Sequence, residues 1–75
     1  MQERIKAVMA QIFNVDPGAI AADSSPESIE RWDSLRHMQL VLAIEDEFGV
    51  QFADEDIPEL LSLQAIEARV SSLSP

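Results

Sequence analysis

The segment Trp32-Asp33-Ser34-Leu35-Arg36-His37 gathers the side chains with the most chemistry in the chain, including its single histidine. If a helix starts here, Ser34 lies in its first turn. Free backbone N–H groups and the positive end of the helix dipole favour an anion at that point. A phosphodiester on the Ser34 oxygen is therefore well tolerated. Taken alone, Asp33-Ser34 is more simply a helix cap, because both residue types are common N-caps. A hydrolytic site of Asp33, Ser34 and His37 is a second reading, since Ser34 and His37 share a helix face. A triad, however, needs an oriented histidine, an oxyanion hole and a substrate cleft. One helical turn cannot supply all three, so intrinsic catalysis is set aside and His37 is read as an exposed helix residue or one tuning contacts near Ser34. The acidic run Asp54-Glu55-Asp56 suggests calcium, but Glu59 stands where an EF-hand loop requires glycine. No dedicated metal site is expected.

The elements that must position Ser34 are legible from apolar spacing. Ile5, Val8, Met9, Ile12 and Phe13 mark one face of a first helix over Gln2 to Asn14. Asp16-Pro17-Gly18 is expected to end it. The stretch from Val15 to Trp32 reads as a long loop with a short turn at Pro26 to Ile29, where Ser25 before Pro26 looks like a cap and first-turn proline. Val15, Ile20, Ile29 and Trp32 are expected to pin it to the core, with Trp32 alternatively serving recognition. Asp33 caps a second helix that runs to Phe48, with Gly49 at its C′ position and Val50 and Phe52 packing back. That helix has one apolar face of Leu40, Val41, Ile44 and Phe48 and a second stripe of Leu35, Met38 and Leu42. The second stripe is either additional core or an unpartnered face. A short helix over Pro58 to Leu61 is expected. Ser62 then caps a last helix whose core face is Leu63, Ile66, Val70 and Leu73. No segment alternates with period two. The expected fold is all-α, a small four-helix bundle of three longer helices plus one short helix, in a single domain over residues 1–75.

Composition narrows the function. With 75 residues, the core is modest and leaves little room for an elaborate active site. The net charge of −9 disfavours nucleic acid, which requires cationic contacts, and suits partners that present basic patches. Solubility alone would also account for it. There is no cysteine, hence no disulfide framework and no thiolate chemistry in the chain itself. No signal peptide and no membrane-spanning stretch are read, so a soluble, cytoplasmic monomer without membrane insertion is the expectation.

The segment from Asp33 onward is similar to the acyl carrier protein family. Asp33-Ser34-Leu35 matches the family's Asp-Ser-Leu attachment motif. Leu40-Val41 and Ala43-Ile44-Glu45-Asp46-Glu47-Phe48-Gly49 resemble its second helix and closing turn. Ile57-Pro58 and the helix around Ile66 and Val70 fall where the family has comparable elements. The resemblance spans essentially the whole chain.

It implies that Ser34 carries 4′-phosphopantetheine, attached from coenzyme A by a phosphopantetheinyl transferase, and that the arm's thiol holds acyl or related groups as thioesters. Asp33 would cap the helix and help present Ser34 to the transferase. Leu35, Met38 and Leu42, with the acidic Glu45 and Asp46, would meet acyl-loading and acyl-transfer enzymes through their basic docking patches. Trp32, Arg36, His37 and Gln39 depart from the commonest fatty-acid carriers. These departures dilute negative charge near Ser34, with Arg36 and Gln39 joining the expected partner surface. They point towards a stand-alone carrier of a dedicated pathway (polyketide, nonribosomal, lipid or cell-surface) rather than housekeeping fatty-acid biosynthesis. An aminoacyl or peptidyl carrier and an unmodified acidic adaptor remain the alternatives.

Overall fold

The computed structural model describes residues 1–73. Among them there are three α-helices and no strand: α1 (Gln2–Phe13), α2 (Ser34–Phe48) and α3 (Leu63–Leu73). Two one-turn 3-10 segments, Pro17–Ala19 and Ile57–Glu59, lie in the connections. The short helix expected over Pro58 to Leu61 is thus only the turn Ile57–Glu59. Pro58 suits the start of such a turn, and the Leu60 N–H closes it onto the Ile57 carbonyl without any continuation. The bundle has three helices rather than four.

α1 packs against both α2 and α3, which meet each other far less. Its buried residues Ile5, Met9, Ala10 and Phe13 follow the helical period, with Val8 and Ile12 half-buried at the flanks. Leu40, Val41 and Ile44 from α2 and Leu63, Ile66 and Val70 from α3 complete the centre, with Phe48 half-buried. Leu73, expected on the core face of α3, is 37% exposed because the helix runs past the end of α1's buried stripe. The connections also contribute. Ile20, Ile29, Trp32, Phe52 and Leu60 are buried, and Val15 packs against the core. A chain this short cannot enclose a core with helices alone, so its loops supply a substantial share.

Each connection is held by local hydrogen bonds. α1 stops earlier than expected, at Phe13, because Asn14 adopts a left-handed conformation and the N–H groups of Asn14 and Val15 both return to the Ala10 carbonyl. Asp16 instead caps the following turn, its Oδ1 accepting from the Gly18 N–H at 2.8 Å. Ser25 closes the expected turn at Pro26, accepting from Ser28 and Ile29 through its carbonyl. Ser62 caps α3 through the Ala65 N–H at 3.0 Å, and the Gln64 N–H of the same turn reaches back to the Ala22 carbonyl. Gly49 ends α2 with φ +65°, and the Gly49 and Val50 N–H groups converge on the Glu45 carbonyl.

A Cβ on Gly49 would meet nothing within 4 Å, so substitution there tests backbone conformation alone. Gly49→Ala is expected to lower the unfolding free energy by about 1–2 kcal/mol through the left-handed penalty. In a domain of this size that is a drop in Tm of roughly 4–8 °C for each kcal/mol, measurable by thermal melting. An unchanged Tm would show that the turn relaxes out of the left-handed region.

Candidate functional site

The N-terminus of α2 is set by Asp33. Its Oδ1 accepts from the Arg36 N–H at 2.8 Å, satisfying one of the first-turn donors, and its Oδ2 lies 3.4 Å from the Arg36 guanidinium. Ser34 follows as the first helical residue and is exposed. Among the described residues its hydroxyl has no hydrogen-bond partner, and the N–H groups of Ser34 and Leu35 are likewise unmatched. An exposed hydroxyl beside unmatched N–H groups at a helix start accepts an anionic substituent with little rearrangement.

The approach to Ser34 is fixed by Trp32. Its ring is 4% exposed and packs against Phe13 of α1 with centroids 5.0 Å apart. A buried indole N–H needs an acceptor, and Nε1 finds it in His37 Nδ1 at 3.0 Å. The other ring nitrogen, Nε2, lies 2.8 Å from the Ile57 carbonyl oxygen. Since the indole can only donate, Nδ1 must accept and Nε2 must carry the proton that it gives to Ile57. His37 therefore joins three segments: the end of the long loop, the first turns of α2 and the 3-10 turn Ile57–Glu59. This corrects the expectation of an exposed helix residue and assigns Trp32 to the core. A signal for it was present in the sequence, because a tryptophan placed just before a helix needs an acceptor and the chain's one histidine stands five residues on.

The same geometry removes the hydrolytic reading. Both His37 nitrogens are engaged elsewhere, and Asp33 faces the Arg36 backbone and side chain, so neither can act on Ser34. The acidic run is also used structurally: Asp56 pairs with Arg69 at 2.8 Å, and its Oδ2 accepts from the Ala53 N–H.

The second apolar stripe of α2 is not core. Leu35 is 69%, Met38 45% and Leu42 61% exposed. Gln39 and Asp46 are exposed with them, and Arg36 is half-buried beside Asp33. Glu45 differs from its expected place on an open acidic face, because it is half-buried and its Oε2 accepts from the Phe52 N–H at 2.8 Å. A cleft of about 320 Å³ opens beside Ser34, lined by Pro26, Trp32, Asp33, Ser34, His37 and Leu61. The contributions of Pro26 and Leu61 carry no signal in the sequence, since they come from two connections distant along the chain.

A family model described as "Phosphopantetheine attachment site" matches residues 3–70. The "Acyl carrier protein" of Thermosynechococcus vestitus is 34% identical over 64 residues, covering 85% of this chain and 79% of that protein. A solution NMR structure of holo acyl carrier protein from Geobacter metallireducens is similar in fold. Its TM-score is 0.84 at 24% identity, over 96% of this chain and 83% of that one.

His37→Ala is expected to cost about 1–3 kcal/mol of unfolding free energy, chiefly because the buried Trp32 N–H loses its acceptor. Urea denaturation measures the loss, and nitrogen NMR of the wild type should show the His37 proton on Nε2. A variant as stable as the wild type would mean that the indole finds another partner.

Proposed function

The chain belongs to the phosphopantetheine attachment-site family as an acyl carrier protein, and from that premise we propose that Ser34 bears the arm. The family makes it a carrier bearing a phosphopantetheine prosthetic group rather than an enzyme. One observation supports Ser34 within the matched stretch. Ser24, Ser25, Ser28 and Ser62 all use their hydroxyls in turns or caps, accepting from Ala21, Glu27, Ser25 and Ala65 respectively. Ser34 alone among the five serines of residues 3–70 has a hydroxyl without a partner among the described residues. It is exposed, capped by Asp33 and placed where an anion is favoured.

The Ser34 oxygen would form its phosphodiester as the pyrophosphate of coenzyme A breaks, with adenosine 3′,5′-bisphosphate leaving and the transferase taking the hydroxyl proton. The thiol supplied by the arm then holds acyl groups as thioesters, which a chain without cysteine could not do itself. Residues 1–75 act as one carrier domain. Asp33 presents Ser34 by fixing the helix start. Leu35, Met38 and Leu42 form the apolar centre of the partner surface, with Gln39, Arg36, Asp46 and the outer oxygen of Glu45 around it. The charge of −9 steers transferases and acyl-handling enzymes that carry basic patches.

Trp32 and His37 serve the fold, so partner choice rests on Arg36 and Gln39 among the departures near Ser34. Those two, in place of acidic groups, support a dedicated biosynthetic pathway over general fatty-acid synthesis.

Intact mass before and after incubation with a broad-specificity phosphopantetheinyl transferase, coenzyme A and magnesium tests the attachment. One phosphopantetheine should be gained by the wild type and none by Ser34→Ala. No gain with several transferases would return Ser34 to the role of a helix residue on an unmodified adaptor. Leu35→Glu and Met38→Glu sit on exposed positions, so circular dichroism should be unchanged while arm transfer or acyl loading slows about tenfold, the loss of one modest interface contact. Unaltered kinetics in both variants would remove the stripe from the docking surface.

A further inference from the structure

The cleft beside Ser34 has a built character that the attachment role alone does not require. Its floor is the buried Trp32 ring, held in place by the bond from Nε1 to His37. Pro26 and Leu61, the latter 44% exposed, also line it. Leu61 is an exposed apolar side chain outside the α2 stripe, on the connection that enters α3. His37 offers the cleft no polar capacity, since both nitrogens are engaged. What remains is a mostly apolar recess with Asp33 and Ser34 also in its lining, and its size of about 320 Å³ is at the lower end for small-ligand pockets, roughly 300–1,000 Å³.

We propose that this recess seats the branched, geminal-dimethyl portion of the phosphopantetheine arm, so that the arm leaves Ser34 along the protein rather than straight into solvent. The inference rests on Ser34 as the attachment residue. Ser34 itself lines the recess, and in a substituent there a single methylene separates the phosphate ester from that apolar, branched carbon. The phosphate stays by the unmatched N–H groups of Ser34 and Leu35, and the two methyl groups reach the space between Trp32 and Leu61. Tethering gives the arm a high effective concentration at the recess, so the small apolar contact that Leu61, Pro26 and the indole offer is sufficient. The occupant is thereby specified by the chain itself, because any other ligand would have to displace a group already fixed at the rim.

The arm's geminal methyls would cover Leu61 without disturbing the Trp32–His37–Ile57 connection. The more distal amides and thiol extend past the recess, free to present cargo.

The test uses the full chain in apo and holo forms, the latter carrying a carbon-labelled arm installed by a phosphopantetheinyl transferase and verified by intact mass and fragmentation. In the holo protein, nuclear Overhauser contacts are expected from the geminal methyls to the Leu61 methyls and the Trp32 ring protons. The Leu61 methyl resonances should also move on loading more than those of Leu42, which lies on the partner stripe. In Leu61→Ser, an exposed site at which folding should persist, the contacts to Trp32 should weaken at least several-fold while the mass still shows the arm on Ser34. An arm on Ser34 with no methyl contacts to Leu61 or Trp32 would overturn the recess assignment and leave the attachment reading standing. An arm that is absent, or found on another residue, would overturn both.

Discussion

Burying Trp32 imposes the constraint on which the rest of the arrangement turns. The indole fills space against Phe13 that a 75-residue chain cannot fill with its helices alone. It can do so only if its N–H is satisfied away from water. His37 meets that need, and its second nitrogen extends the link to Ile57. One residue of α2 thus fixes the end of the long connection on one side and the second connection on the other. Ser34 lies between Trp32 and His37 in sequence, so its backbone is held at both ends while its hydroxyl stays free. Among the described residues no buried side-chain polar atom is left without a partner, which is what allows so small a core to include two long connections.

α2 faces two environments, and its surplus of apolar residues follows from that. Leu40, Val41 and Ile44 meet α1, whereas Leu35, Met38 and Leu42 turn outward. Because α1 is the helix against which both others pack, α2 needs only one buried stripe. Its ends are then fixed independently of that stripe. Asp33 holds the first turn, and at the other end the Arg4 guanidinium donates to the Glu47 carboxylate and carbonyl while lying 4.5 Å from the Phe48 ring centroid. A cation at a helix C-terminus is favoured by the dipole and gains further from the aromatic face. The outward stripe is therefore carried on a helix that does not rely on it for stability.

Much of this was legible in the sequence where the determinants are local. The bounds of α2 follow from Asp33 and Gly49, the buried faces from apolar spacing, and the cap of α3 from Ser62. The loop anchors Ile20, Ile29 and Trp32 were visible as isolated apolar residues in a polar stretch. What was hidden depends on backbone conformations and contacts that residue types do not announce. The proline at position 17 concealed that Asn14 had already ended α1 through a left-handed turn, a conformation asparagine tolerates without announcing it. The run Pro58 to Leu61 carries helical residue types, yet the Leu60 N–H closes onto the Ile57 carbonyl after a single tight turn. Glu45 reads as one more surface acid until its contact with the Phe52 N–H, seven residues on, is known. The cleft beside Ser34 was invisible for the same reason, since Leu61 joins it only through the tertiary fold.

Charge shows the same division between what holds the fold and what faces outward. Of the five basic residues, Arg4, Arg36 and Arg69 form ion pairs with Glu47, Asp33 and Asp56 among the described residues. Such exposed pairs each add little to stability, and the net charge of −9 is the same whether or not they form. The excess of acids is thus left to act at distance, where it raises encounter rates with basic surfaces and weakens as salt is added. Arg36 is the exception in place if not in kind, because it neutralises Asp33 at the rim of the Ser34 cleft. An anionic phosphodiester on Ser34 would otherwise stand beside an uncompensated carboxylate. Arg36 therefore has a local electrostatic consequence, offsetting the Asp33 carboxylate at the helix start where Ser34 is proposed to be modified.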